Sequence, residues 1–153
     1  MSKKALSIAI LGTRGIPNRY GGFEAFAHKL APWLVKHGHQ VSVYCSHAQE
    51  YQAQEWKGVN LIFKNNPEDR IGTKGQFLYD LYCNLDARKR NFDVVLHLGY
   101  TSDSIWWWLW SNKSKHLTNM DGMEWLRSKY SKPTQTFLRY AEKWAVKHSD
   151  GLI

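Results

Sequence analysis

The feature that most constrains this chain is a short apolar run, Leu6–Leu11, that leads straight into a glycine-rich loop and then a helical pattern. The loop, Gly12–Gly22, holds four glycines and Pro17. After it Phe23, Phe26, Ala27, Leu30 and Leu34 recur at helical spacing, and Gly38 suits the left-handed residue that ends a helix. Pro32 lies inside that pattern and predicts a kink. A buried strand, a tight loop and a helix form the opening of a βαβ unit. The rest of the chain repeats the alternation.

Val41–Cys45 and Val59–Phe63 read as the second and third strands, and Asn65-Asn66-Pro67 marks the turn out of the third. Phe77, Leu78, Leu81, Tyr82 and Leu85 share a predicted helix face between Gly75 and Arg90. Asp93–Leu98 is the fourth strand. Thr101–Trp110 reads as a short apolar helix, capped by Thr101 or Ser102. His116–Met120 is the fifth strand. Pro133 suits the first turn of a last helix, whose face carries Phe137, Ala141, Trp144, Ala145 and His148. Ser149–Ile153 reads as the entry to a sixth strand. The pattern predicts an α/β, Rossmann-like domain over residues 1–153, with a mainly parallel sheet and helices on both faces. It also predicts that the domain is truncated at that sixth strand.

The loop after the first strand carries the chemistry. Backbone N–H groups at a helix N-terminus suit a phosphate or another anion, and Arg14 and Arg19 add positive charge. The spacing matches neither G-x-G-x-x-G nor G-x-x-x-x-G-K-[ST], which disfavours a dinucleotide oxidoreductase and a P-loop enzyme. At this point the chain resembles retaining glycosyltransferase family 4, and above all its bacterial rhamnosyltransferase-like members. Pro17, Gly21, Gly22 and Glu24 match the family's P-x-x-x-G-G-x-E loop. Leu30-Ala31-Pro32 with His37–Tyr44 is similar to its first helix and second strand. Asn119–Trp125, and Glu142 with Ser149–Ile153, resemble its fifth strand and the entry to its sixth.

The resemblance implies a two-lobed GT-B enzyme that moves a sugar from a nucleotide-sugar donor to a saccharide acceptor, lipid-linked in bacterial polysaccharide synthesis. This chain would be the N-terminal, acceptor-side lobe. The C-terminal lobe with its paired-glutamate motif would be absent, so the fragment alone is expected to be inactive. Gly21 and Gly22 would touch the donor diphosphate through their amides. Arg14, Arg19, Tyr20, His97 and Glu124 are candidates for acceptor binding, with Asp121 as the catalytic carboxylate. Met120 stands where many family members carry His, so that residue's role does not transfer. No metal and no cofactor are expected; the nucleotide sugar is a co-substrate.

Asp121 and Glu124 fall just past a strand end, where open α/β sheets place ligands, although either carboxylate equally suits the cap of a turn. His97 ends the fourth strand and is weighed against a hydrogen-bonded core histidine. Lys and Arg outnumber Asp and Glu by 21 to 13, for a net charge of +8, so the surface favours polyanions. The Arg139, Lys143 and Lys147 stripe, with Trp107 from the Trp106–Trp110 cluster, is expected to face an anionic membrane surface; vesicle co-sedimentation would check this. Two rival readings are a basic aromatic nucleic-acid-binding module and a non-catalytic Rossmann-like scaffold. Aromatics that cluster rather than interleave with Lys and Arg disfavour nucleic acid. Cys45 and Cys83 make no disulfide framework and favour a cytoplasmic protein, peripheral on the inner face of the plasma membrane if the stripe docks there.

Overall fold

The computed structural model describes residues 4–17 and 21–153. Seven strands form one sheet: β1 Ser7–Leu11, β2 Gln40–Ser46, β3 Glu55–Trp56, β4 Val59–Lys64, β5 Val94–Leu98, β6 Lys115–Asn119 and β7 Gly151–Leu152. Their order is β3-β4-β2-β1-β5-β6-β7, parallel throughout except for the antiparallel pair β3–β4. The helices are α1 Gly22–Lys36, α2 Glu68–Ile71, α3 Thr73–Arg90 and α4 Lys132–His148. This is a doubly wound, Rossmann-like arrangement. The chain steps outward from β1 on one side, then returns to β5 on the other, which leaves a topological switch point between β1 and β5.

Residue parity along the strands sorts the core into two layers. Ile10, Val43, Leu96 and Leu98 pack with Ala27 and Ala31 of α1. Their neighbours Ala9, Leu11, Tyr44 and Val95 face the opposite way, onto Tyr79, Cys83 and Ala87 of α3. On that second face a 3₁₀ segment, Ser104–Leu109, and α4 extend the layer: Trp106 Nε1 donates to the Phe77 carbonyl at 3.0 Å, and Phe77 meets Phe137 at 5.7 Å. Helices thus cover both faces, as the alternation predicts.

Three details differ from expectation. The segment around Trp106–Trp108 is 3₁₀, not α, and is capped by neither Thr101 nor Ser102; Asp103 precedes it without a side-chain cap bond. The buried face of α3 is Tyr79, Cys83 and Ala87 with Asp80 and Asn84, while Tyr82 and Leu85 are exposed. Burial of Asp80 and Asn84 is possible because each finds polar partners inside. Finally, α1 runs through Pro32 as one helix to Lys36, and Gly38 takes φ +87° beyond its end. Among the described residues no helix is long and apolar enough to cross a membrane.

Candidate functional site at the carboxyl edge of the sheet

Gly12 leaves β1 at φ +88°, and a Cβ there would run into the Leu98 carbonyl at the end of β5. Glycine therefore lets the loop begin directly against the switch point. The loop is then held from several sides. Tyr79 of α3 donates from its hydroxyl to the Thr13 carbonyl at 2.8 Å, and Ser46 donates from its N–H to the Arg14 carbonyl at 2.9 Å. Gln49 Nε2 donates to the Ile16 carbonyl at 2.6 Å. The buried Glu24, in the first turn of α1, reaches back so that its Oε1 accepts from the Arg14 N–H at 2.9 Å. A first-turn acid is favourable at a helix N-terminus, and here it ties both ends of the loop together.

Gly21 is the N-cap of α1, at φ 57°, and makes no side-chain cap bond. Helix geometry leaves the first-turn N–H groups without intrahelical acceptors. Gly21 and Gly22 are both exposed, and among the described residues nothing lies within 4 Å of a Cβ built on Gly22. The Gly22 side of the helix end is therefore left uncovered by the described residues. A cavity of about 390 Å³ adjoins it, between the ends of β1, β2 and β4. Its walls include Arg14, Glu24, Gln49, Asn66, Glu68 and Asp69.

Arg14 is engaged within this cavity. Its guanidinium binds Glu68 of α2 through both Nε (3.1 Å) and Nη2 (2.7 Å). The shared bonds raise the Arg14 pKa and lower that of Glu68. Glu68 takes two of the five N–H donors of the guanidinium and offsets its charge for any further anion. Arg19 and Tyr20 lie outside the described residues.

The other candidates separate. Asp121 follows β6, exposed at φ 56°, and its N–H donates to Asn119 Oδ1 at 3.0 Å. Glu124 is committed locally: Arg127 Nη2 lies 2.9 Å from its Oε1, and its N–H donates to the Tyr100 hydroxyl at 3.1 Å. The Tyr100 hydroxyl in turn donates to the Gly122 carbonyl at 2.9 Å, stapling this loop. His97 does not reach the edge. It is fully buried because its side chain points into the α3 layer. Trp107 stacks flat on His148 at 3.7 Å and 4°, partly buried. Arg139, Lys143 and Lys147 are exposed along α4, and Arg139 covers the Trp125 ring at 4.4 Å.

Around His97 the interior holds a polar chain that sequence reasoning missed. His97 Nδ1 lies 2.6 Å from Asp103 Oδ2, and its Nε2 lies 3.0 Å from His116 Nδ1. His116 Nε2 faces the Ser111 carbonyl at 3.1 Å. Asn84 Nδ2 donates to Asp103 Oδ1 at 2.6 Å, and Asp80 accepts from Ser102 and Gln76. Trp110 stacks on both imidazoles. Burial and the neighbouring His97 push His116 down to about 4, so it is neutral near pH 7. The Ser111 carbonyl can only accept, which puts the His116 proton on Nε2 and leaves its Nδ1 to accept from His97 Nε2. Burial, then the charge of Asp103, pushes the Asp80 carboxyl well above its usual range. The available signal was Asp80 and Asn84, four residues apart in a helix beside the apolar Cys83 and Ala87.

A doubly wound α/β domain with its ligand edge at the switch point is the class that this fold and loop define. Within that class the chain belongs to the family described as "Domain of unknown function (DUF1972)", whose model matches residues 5–153. No curated protein matches the chain.

Proposed function

We propose that this domain is the acceptor-side half of a glycosyltransferase that transfers a sugar from a nucleotide-sugar donor to a saccharide acceptor. The observation that carries the reading is the N-terminus of α1 at the carboxyl edge of the sheet, where Gly21 and Gly22 are exposed and no described residue crowds Gly22. A donor diphosphate has the charge and size for that position. The match of Pro17, Gly21, Gly22 and Glu24 to the family 4 loop supports it. The adjoining cavity supports the acceptor role. Its side-chain carboxylates and amides accept and donate to hydroxyls, and among the described residues of its walls Glu24, Glu68 and Asp69 outnumber Arg14, which disfavours a second phosphate there. Asp121, exposed past the end of β6 and outside that cavity's walls, is the carboxylate proposed for the catalytic role.

The test is Gly22→Val in the whole protein that carries this domain, assayed for transfer from a panel of nucleotide sugars. The space around Gly22 leaves the fold intact, so thermal unfolding of the variant should match the wild type. Transfer should fall by about a hundredfold, the usual cost of losing preorganised donors to a developing charge. A variant that transfers sugar at the wild-type rate would reduce the loop to a turn. Gly21→Val is the poorer probe, since φ 57° and Glu24 Oε2 at 2.6 Å from the new Cβ would also strain the fold.

A further inference from the structure

A second cavity lies at the opposite, amino-terminal edge of the sheet, where Lys115 and His116 begin β6 and Asp150 precedes β7. Its volume is about 350 Å³, within the range of small-molecule sites. Three indoles wall it. Trp108 is 56% exposed, Trp107 is backed by His148, and Trp110 closes the inner side. Asn112, Ser111 and the Lys115–Asp150 pair, 3.0 Å apart, supply polar groups around them.

Two buried polar atoms in these walls have no partner: Trp110 Nε1 and Ser114 Oγ, on residues 8% and 5% exposed. A buried donor or acceptor left without a partner is unfavourable. A narrow recess of about 10 Å³ is bounded by the same Trp110, Ser111, Ser114 and His116. Both atoms lie beneath the cavity surface, closed to solvent.

The walls are also electrically quiet in a chain of charge +8. Lys115 is answered by Asp150, and burial keeps His116 and His148 on the neutral side. No free cation waits for a phosphate, and a polar collar is wrong for an alkyl chain. A pyranose ring carries what the walls lack, with C–H groups on its face to lie on an indole and hydroxyls on its rim to bond outward. We infer that this cavity is a second site on the domain, binding an uncharged sugar ring against Trp108 with its hydroxyls directed at Asn112 and the Lys115–Asp150 pair. It stands apart from the glycine loop and does not depend on the transferase reading.

The experiment uses the 153-residue chain labelled with ¹⁵N-tryptophan, which reports every indole N–H separately, titrated with methyl α-rhamnopyranoside and methyl α-glucopyranoside. At least one glycoside should shift the Trp108 and Trp110 signals saturably while Trp33 and Trp56 stay still. Trp108→Ala and Asn112→Ala should each weaken that binding by about tenfold, the scale of one aromatic contact or one good hydrogen bond. Gly22→Val should leave it unchanged. No saturable shift with either glycoside overturns the inference. So does a larger response of the same signals to inorganic phosphate or to uridine, which would make the cavity an anion or nucleobase site.

Discussion

The loop after β1 and the histidine chain behind β5 sit on neighbouring strands, yet they handle polarity in opposite ways. At the loop, glycines leave backbone amides facing solvent, and the flanking side chains serve to hold the backbone still. Behind β5, the polar atoms are side chains, fully enclosed and turned on one another from α3, β5, β6 and the turn before the 3₁₀ segment, although His97 Nδ1 and Asp103 Oδ2, 2.6 Å apart, are not aligned as a hydrogen bond. The first arrangement keeps hydrogen-bonding capacity available to a ligand. The second uses that capacity up within the fold. Exposed, unspent donors mark a place where something binds; a closed set of bonds marks a place where the protein is held together.

The comparison breaks most readily at Asp103. Asp103→Ala takes the acceptor from Asn84 Nδ2 and the carboxylate from beside His97 Nδ1 in a dry site, and each buried polar group left unmet costs about 1–3 kcal/mol. Urea unfolding should record that loss; a cost under about 1 kcal/mol would mean that the chain is not a closed set. The Gly22→Val variant should show the reverse pattern, with stability retained and transfer lost.

A smaller effect comes from pH. His116 titrates near 4 when folded and near 6.5 when unfolded. Between those values the unfolded chain binds a proton that the folded chain refuses, so acidification favours unfolding. The stability is complete above about pH 6.5 and falls toward pH 4, by up to about 3 kcal/mol. Asp80 acts with the opposite sign, since its raised pKa gives stability that is lost as pH rises. The wild type should therefore be compared with His116→Gln, and only the difference between their profiles read. Identical profiles from pH 7 to 4.5 would remove His116 from the account.

The smallest effect belongs to the loop's own ion pair. Arg14 and Glu68 side chains are 50% and 27% exposed, so solvent screens their attraction. Glu68→Gln should change stability by less than about 1 kcal/mol in thermal unfolding. A larger loss would show that the loop is also held by its side chains and would blur the contrast.

Much of this was legible in the chain. Buried parallel strands must be continuously apolar, so Leu6–Leu11, Val41–Cys45 and Val94–Leu98 announce themselves, and glycines that permit positive φ announce the loop between them. The edge strand β3, two residues and largely exposed, carries no such signature. Nor did the tryptophan segment. Apolar residues on every side cannot tell an α-helix from a 3₁₀ turn, and the outcome rests on where Trp106 and Trp107 find partners. The histidine chain was illegible for a related reason. Asp103, Asn84 and His116 are each ordinary polar residues locally, and His97 meets His116 from 19 residues away. Proximity in space made them a unit, and neither period nor spacing encodes that.

That chain also constrains which alignment of β5 and β6 the protein can adopt. Val95 stands opposite His116 and His97 opposite Thr118, which turns both imidazoles toward α3. Sliding β6 by one position would rotate His116 to the other side of the sheet, where Leu96, Leu98 and the aliphatic face of α1 offer it no acceptor. It would also turn Leu117 toward the vacated imidazole partners. Apolar strands alone tolerate such slippage, because one valine fits where another sat. A buried imidazole that needs a polar partner does not. The histidine pair thus works as a key cut for one alignment, penalising misthreaded sheets more than it rewards the correct one.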